Sequence, residues 1–171
     1  ARLKAPFPLW GLGLVGHDEE GRYILDRFRD LGIDLSHVHM TSEASTSFTD
    51  VMNEEGTGER LFFHHRGANA LLGPEHVPLA ALSCRIFHLG YLLLLDRLDE
   101  RDRDFGTVAA RVLHDVRAAG IKTSLDVVSE EGDRFKTLVP PALRFMDYLI
   151  VNEIEIGNIL GVKVRNARGE L

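Results

Sequence analysis

Asp147-Tyr-Leu-Ile-Val-Asn-Glu-Ile-Glu-Ile-Gly-Asn-Ile-Leu160 changes character part-way along. Residues 148–151 are a short apolar run and read as a strand, and residues 153–160 read as a helix. Asn152 stands at the junction as an N-cap. Glu155 follows three residues later, which is a capping-box-like arrangement. The same alternation recurs upstream. Residues 85–91 and 121–128 read as strands, and between them Phe105, Val108, Ala109, Val112, Leu113, Val116 and Ala119 fall at helical spacing. Gly120 ends that helix, and a further helical stretch surrounds residues 140–143. Strand alternating with helix implies a mostly parallel sheet with crossover helices on its faces.

Nearer the N-terminus, Leu9-Trp-Gly-Leu-Gly-Leu-Val15 is a compact apolar run, read as a buried strand despite its two glycines. Asp18 can cap a helix from about residue 19 to residue 31, with Tyr23, Ile24, Phe28 and Leu31 near one face and Gly32 where a C-terminal cap belongs. Residues 38–65 differ. Residues 45–51 and 60–64 look like short polar strands, separated by Asn53-Glu-Glu-Gly-Thr-Gly58, which is turn chemistry. They are expected to form a small sheet standing off the main body. The reading is therefore an α/β core over residues 1–37 and 67–171, carrying a β insertion over residues 38–66.

Composition narrows the functional classes. A length of 171 residues suits one domain, and 44% hydrophobic with 27% charged residues is ordinary for a globular chain. The formal net charge is -6, with acids and bases interspersed. This argues against nucleic acid as a partner, because clustered Lys and Arg supply most of that affinity. The longest apolar run, residues 91–95, is far short of the ~20 residues of a membrane helix. No signal-peptide pattern opens the chain. The single cysteine, Cys84, cannot form an internal disulfide, so a cytoplasmic location is the simpler expectation.

Several motifs carry competing readings. Gly11-x-Gly13-x-x-Gly16, with Asp34 roughly 20 residues on, has the form of a dinucleotide fingerprint. Its first two glycines, however, fall inside the apolar run instead of after a strand, so glycines that allow close packing on a strand are the plainer account. His37 and His39 share a strand face, whereas His64 and His65 point to opposite faces. Neither pair has a further ligand at zinc-like spacing, which favours solvated or hydrogen-bonded histidines. Asn152 and Glu155 fit a capping box equally well as a ligand site. The C-terminal ends of strands and the following helix N-termini line the crevice of an α/β sheet, where a carboxylate can hold Mg²⁺ through water. Asp126, near the end of the previous strand, would face the same crevice or cap a loop. Arg66-Gly-Ala-Asn-Ala70 closes the insertion, as a plain turn or as a close backbone approach to a ligand that Asn69 could bond.

Taken in order, these segments resemble the PfkB (ribokinase-like) carbohydrate kinases. Val15-Gly16-His-Asp18-x-x-Gly21, followed by Leu31-Gly-Ile-Asp34 and Ser36, is similar to the family's segment after its first substrate motif. Thr46 and Gly58-Glu-Arg60 resemble its lid strands, and His64-His-Arg-Gly-Ala-Asn-Ala-Leu71 resembles the return from the lid. Asn152-Glu-Ile-Glu155, with Gly161, is similar to its Asn-x-x-Glu region.

The resemblance implies a ribokinase-like α/β fold with a β lid, ATP and Mg²⁺, and phosphoryl transfer to a hydroxyl of a sugar or nucleoside. It implies substrate contacts near Thr46 and Asn69, a phosphate-binding Asn152, a metal-organising Glu155, and a homodimer through the lid. The family's substrate aspartate and Gly-Gly-x-x-x-Asn motif would precede Pro6. Its Asp-Thr-x-Gly-Ala-Gly-Asp segment, with anion hole and catalytic base, would follow Leu171. No catalytic residue is therefore expected within this chain, which reads as the central part of a longer kinase, inactive alone. Where some relatives place a substrate-contacting acid, this chain has His88-Leu-Gly-Tyr91, which leaves the sugar open. Two alternatives are a noncatalytic binding or regulatory protein of the same fold and a nicotinamide-dependent oxidoreductase built on the glycine motif.

Overall fold

Short apolar segments flanked by caps and turns set each element of the structure, a computed structural model that describes residues 6–128 and 133–164. The chain divides into two units, residues 1–72 and 73–171.

In the first unit, β1 (Trp10–Gly16) is most buried at its C-terminal end, at Leu14 and Val15. α1 (Glu19–Asp30) starts at the N-cap Asp18. Glu19 and Glu20 lie in its first turn and Arg27 and Arg29 in its last, a distribution that complements the helix dipole. β2 (Asp34–Thr41) pairs in parallel with β1, with Leu14 opposite His39 and Gly16 opposite Thr41. β2 is the strand that carries His37 and His39 on one face, although neither of its faces is clearly apolar. β3 (Phe48–Asn53) and β4 (Arg60–His65) form an antiparallel hairpin with every residue exposed. Read as polar strands, they instead present Phe48, Val51, Met52, Leu61, Phe62 and Phe63 to solvent. The short helix α2 (Gly67–Ala70) follows.

The second unit contains the alternating pattern. After two 3-10 turns come β5 (Ile86–Leu92), α3 (Asp96–Asp99), β6 (Arg101–Asp102), β7 (Gly106–Thr107) and α4 (Val108–Ala118). β8 (Lys122–Val127), α5 (Arg134–Leu143), β9 (Tyr148–Ile150) and α6 (Glu153–Leu160) complete it. The sheet order is β5-β8-β9, all parallel, with Leu89 opposite Leu125 and Leu125 opposite Leu149. Side chains alternate along a strand, so Phe87, Leu89, Thr123, Leu125 and Val127 share the buried face, and α4 packs against β8. On the other face Ile86, Tyr148 and Ile150 are exposed.

The helix expected from residue 105 begins later, at Thr107, whose hydroxyl accepts from Ala110 N at 3.2 Å. The residues before it form the β6–β7 ribbon instead. α5 contains Pro140 and Pro141 in its last turns. A helix-interior proline costs about 3 kcal/mol. Burial of Phe135, Val139 and Ala142 at 0–1% exposure opposes that cost, since a fully buried large apolar side chain contributes ~1.5–3 kcal/mol.

Urea denaturation distinguishes the core from the hairpin. Leu125, fully buried at the centre of the sheet, should lose about 2–5 kcal/mol of stability when replaced by alanine. Leu61→Ala, on a hairpin residue 67% exposed, should stay within about 0.5 kcal/mol of the parent.

Candidate functional site

The first unit gathers its candidate residues around a carboxylate. β1 ends at Gly16 and α1 begins at Asp18, so the Asp18 side chain projects from a strand-to-helix turn. Its Oδ1 accepts from Gly21 N at 2.8 Å, and from the Thr46 hydroxyl at 2.5 Å. Its Oδ2 accepts from Thr46 N at 2.6 Å. The Thr46 oxygen in turn accepts from Gly16 N at 2.8 Å, and Thr46 is only 2% exposed. A Cβ on Gly16 would stand 2.5 Å from Thr46 N, so only glycine allows this approach. The Thr46 hydroxyl bond, followed by the Thr46 N–H bond, lowers the Asp18 pKa from 3.8 to about 2. Thr46 thus fastens the start of the hairpin to the β1–α1 turn through its own polar atoms.

The return strand reaches the same place. Ala68 N donates to Ser45 O at 2.8 Å. Gly67 has φ +44 and its Cβ position lies 2.3 Å from Ser45 O, which excludes any side chain there. Asn69, next in α2, is half-buried, and its carboxamide makes no hydrogen bond among the described residues. The histidines on β4 pair with hydroxyls: His65 Nε2 with Ser45 Oγ at 2.9 Å and His64 Nδ1 with Thr49 Oγ1 at 2.8 Å. The glycines at 11, 13 and 16 belong to β1, and a Cβ on Gly11 would lie 3.1 Å from Val38 Cγ2. Gly11 thus allows close packing on β2 and α1, Gly16 the approach of Thr46, and Gly13 faces open space.

In the second unit, Asn152 and Glu155 come together as a reciprocal capping box. Asn152 Oδ1 accepts from Glu155 N, and Glu155 Oε2 accepts from Asn152 N, each at 2.9 Å. Glu155 is 6% exposed. Asp126, at the end of β8, is paired in register with Ile150 at the end of β9. Burial raises the Asp126 pKa, the negative charge of Glu155 raises it further, and His88 opposes them. His88 itself shares a 3.1 Å hydrogen bond with Ser124 Oγ on the adjacent strand. Asp126 therefore feels the Glu155 carboxylate at the C-terminal rim of parallel strands. That donor chemistry suits a hard divalent cation held by oxygen and water. Among the described residues, no three His, Cys, Asp or Glu side chains form a metal-binding group. No described helix is long and apolar enough to cross a membrane.

The sequence profile of the pfkB family carbohydrate kinases matches residues 5–169. The chain belongs to the pfkB family of carbohydrate kinases. Aminoimidazole riboside kinase of Salmonella typhimurium is 30% identical over 69 residues, which cover 39% of this chain and 21% of that protein. Probable fructokinase-7 of Arabidopsis thaliana is 32% identical over 117 residues, covering 67% and 32% of the two chains. Fructokinase with bound ATP from Xylella fastidiosa shares the ribokinase-like fold, with a TM-score of 0.66 at 23% identity over 90% of this chain and 50% of that one. The parts of these relatives that this chain matches make up half or less of their length.

The Asp18–Thr46 link was not legible locally, because its partners lie 28 residues apart. Gly16 and Gly21, flanking Asp18, were its only trace. A carboxylate whose pKa is lower in the folded than in the unfolded chain stabilises the fold fully above the unfolded value. For Asp18 that contribution is present above pH ~3.8 and is lost as pH falls through about 2. The stability difference between the parent and Asp18→Ala should therefore be constant from pH 7 to about 4 and shrink between about 4 and 2. Urea midpoints across this range are the measurement, and a pH-independent difference would remove the ionised carboxylate from the account.

Proposed function

We propose that the chain is the central part of an ATP-dependent kinase that phosphorylates a hydroxyl of a sugar or nucleoside. The observation that carries this reading is the Asn152–Glu155 box beside Asp126, at the C-terminal rim of parallel strands in a pfkB-family chain. In open α/β sheets, that rim is where ligands bind. Phosphoryl transfer needs mainly alignment and charge neutralisation, and these residues are of the kinds that provide both. The Asn152 carboxamide would bond a phosphate oxygen, and the first turn of α6 adds N–H groups and a favourable dipole. Glu155, with Asp126 nearby, would hold Mg²⁺ through water. When bound, Mg²⁺ neutralises phosphate charge.

In the first unit, Asn69 and the hairpin root would contact the acceptor, with Thr46 acting through Asp18 to keep that root in place. The hairpin is read as a lid over residues 38–66, with residues 1–37 and 67–171 as the core. A homodimer through the lid would use its Val51 and Phe62 face. The setting proposed is the cytoplasm. The catalytic base and anion hole are assigned to parts of the kinase fold outside these 171 residues. Loss of a general base alone removes ~10²–10⁴-fold in rate. The purified chain should accordingly release no ADP above background with ATP and any sugar or nucleoside, and turnover at an ordinary kinase rate would refute this part of the proposal.

Glu155→Gln, made in a polypeptide that carries the whole fold, separates the metal role from capping. Gln also serves at this position of a capping box, so a pure cap should lose only a few tenths of a kcal/mol and no activity. A metal-organising carboxylate should instead give reduced activity at low Mg²⁺, partial recovery as Mg²⁺ rises, and an almost unchanged melting temperature. Normal activity at every Mg²⁺ concentration would leave Glu155 as a cap.

A further inference from the structure

Residues directly opposed in an antiparallel pair lie on the same face, so the β3–β4 register gives the hairpin two distinct faces. One carries Phe48 opposite His65, Asp50 opposite Phe63, and Met52 opposite Leu61. The other carries Thr49 opposite His64 and Val51 opposite Phe62. On the second face, Phe62 already has ring and cation neighbours: His64 lies parallel at 6.1 Å and the Arg60 guanidinium is 5.7 Å from its centroid.

On the first face, at the root of the hairpin, Phe48 and His65 stack on each other at 5.0 Å and 29°, and Phe48 remains 51% exposed. The hydrogen bond between His65 and Ser45 holds the imidazole in place. The polar atoms around this ring pair are joined to one another: Ser45 with His65, and Thr46 with Asp18 and Gly16. Asp50, two residues on from Phe48, adds one exposed carboxylate to this face. This surface presents exposed rings, together with the Asn69 carboxamide in the turn that Ala68 fastens to Ser45.

We propose that the hairpin root binds a planar heteroaromatic ring attached to a sugar, so that the acceptor is a nucleoside and not a free sugar. The ring lies against the Phe48–His65 pair, and Asn69 bonds its polar edge or a ribose hydroxyl. This inference rests on the kinase reading above and names the acceptor class of that site. Stacking of a base on an aromatic side chain is sequence-tolerant and strong enough for replacement of the ring to be felt as a roughly tenfold loss of affinity.

The 171-residue chain is titrated with inosine, uridine, ribose and fructose, followed by NMR line shifts and calorimetry. Both nucleosides should bind at least about tenfold more tightly than either sugar. Phe48→Leu, which keeps an apolar side chain and removes the ring, should weaken nucleoside binding roughly tenfold, and Phe48→Tyr should restore it. Asn69→Ala should weaken it as well. Urea midpoints of the Phe48 variants should match the parent, because this side chain is exposed. Equal affinity for ribose or fructose, nucleoside binding unchanged in Phe48→Leu, or no binding by any of the four would overturn the inference. So would a dimer in sedimentation that Phe48→Leu dissociates and nucleosides leave intact. The same acceptors are offered with ATP to the polypeptide carrying the whole fold. Phosphorylation of free sugars alone overturns the acceptor class and leaves the kinase reading standing, whereas no ATP consumption with any acceptor overturns the kinase reading itself.

Discussion

The first unit depends on the two oxygens of Asp18. They accept the N–H that opens α1, together with the N–H and the hydroxyl of Thr46. One side chain therefore terminates a strand, starts a helix and anchors a hairpin that begins two residues after Thr46. The arrangement makes strict demands on its surroundings. Gly16 must lack a Cβ because Thr46 N occupies that space, and Gly67 must lack one because the returning chain crosses Ser45 O. Hydrogen bonds to an ionised acceptor are stronger than those between neutral groups, and the depressed Asp18 pKa reflects the same donors. The hairpin buries none of its own residues, so its placement rests on these root contacts and not on a core.

A different principle governs the rim of the second unit. Reciprocal capping by Asn152 and Glu155 satisfies two helix-end donors with two side chains. The same geometry presents an amide and a carboxylate where an α/β sheet binds its ligands. Structural and functional readings coincide here because both require a polar pair at a helix N-terminus. Asp126, at the end of β8, lies near enough to this box for the Glu155 charge to add to the effect of burial in raising its pKa.

Much of this architecture is legible in the sequence, and the exceptions have physical causes. β5, β8, β9, α4 and α6 follow from apolar runs and helical spacing, because a parallel sheet covered by helices imposes that pattern directly. β2 is obscured because Asp34-Leu-Ser-His-Val-His-Met-Thr41 mixes polar and apolar residues on both faces, and only pairing with β1 makes it a strand. α5 tolerates two prolines because Phe135 and Val139 are buried. Of the candidate site, the Asn152–Glu155 pair was readable from its spacing of three. The role of Thr46 was not, since its bond to Asp18 joins residues far apart in the chain and leaves no local period.

The aromatic character of the hairpin is obscured for the opposite reason. Phe48, Phe62 and Phe63 were visible in the sequence, but short strands with interspersed Asp, Asn, Arg and His read as polar overall. Register separates what composition averages: it puts Phe48, Phe63, Met52 and Leu61 on one face and leaves Val51 and Phe62 on the other. Large apolar side chains exposed on both faces of a two-stranded sheet contribute little to folding, because nothing in the unit covers them. A pair of strands is itself marginal without further packing. Exposed rings at that site are therefore poorly explained by stability of the unit and well explained by contact with something outside it. Two faces allow two such contacts. The stacked Phe48–His65 pair, next to the anchored root and Asn69, has the flatness and the amide that suit the small planar ligand proposed above.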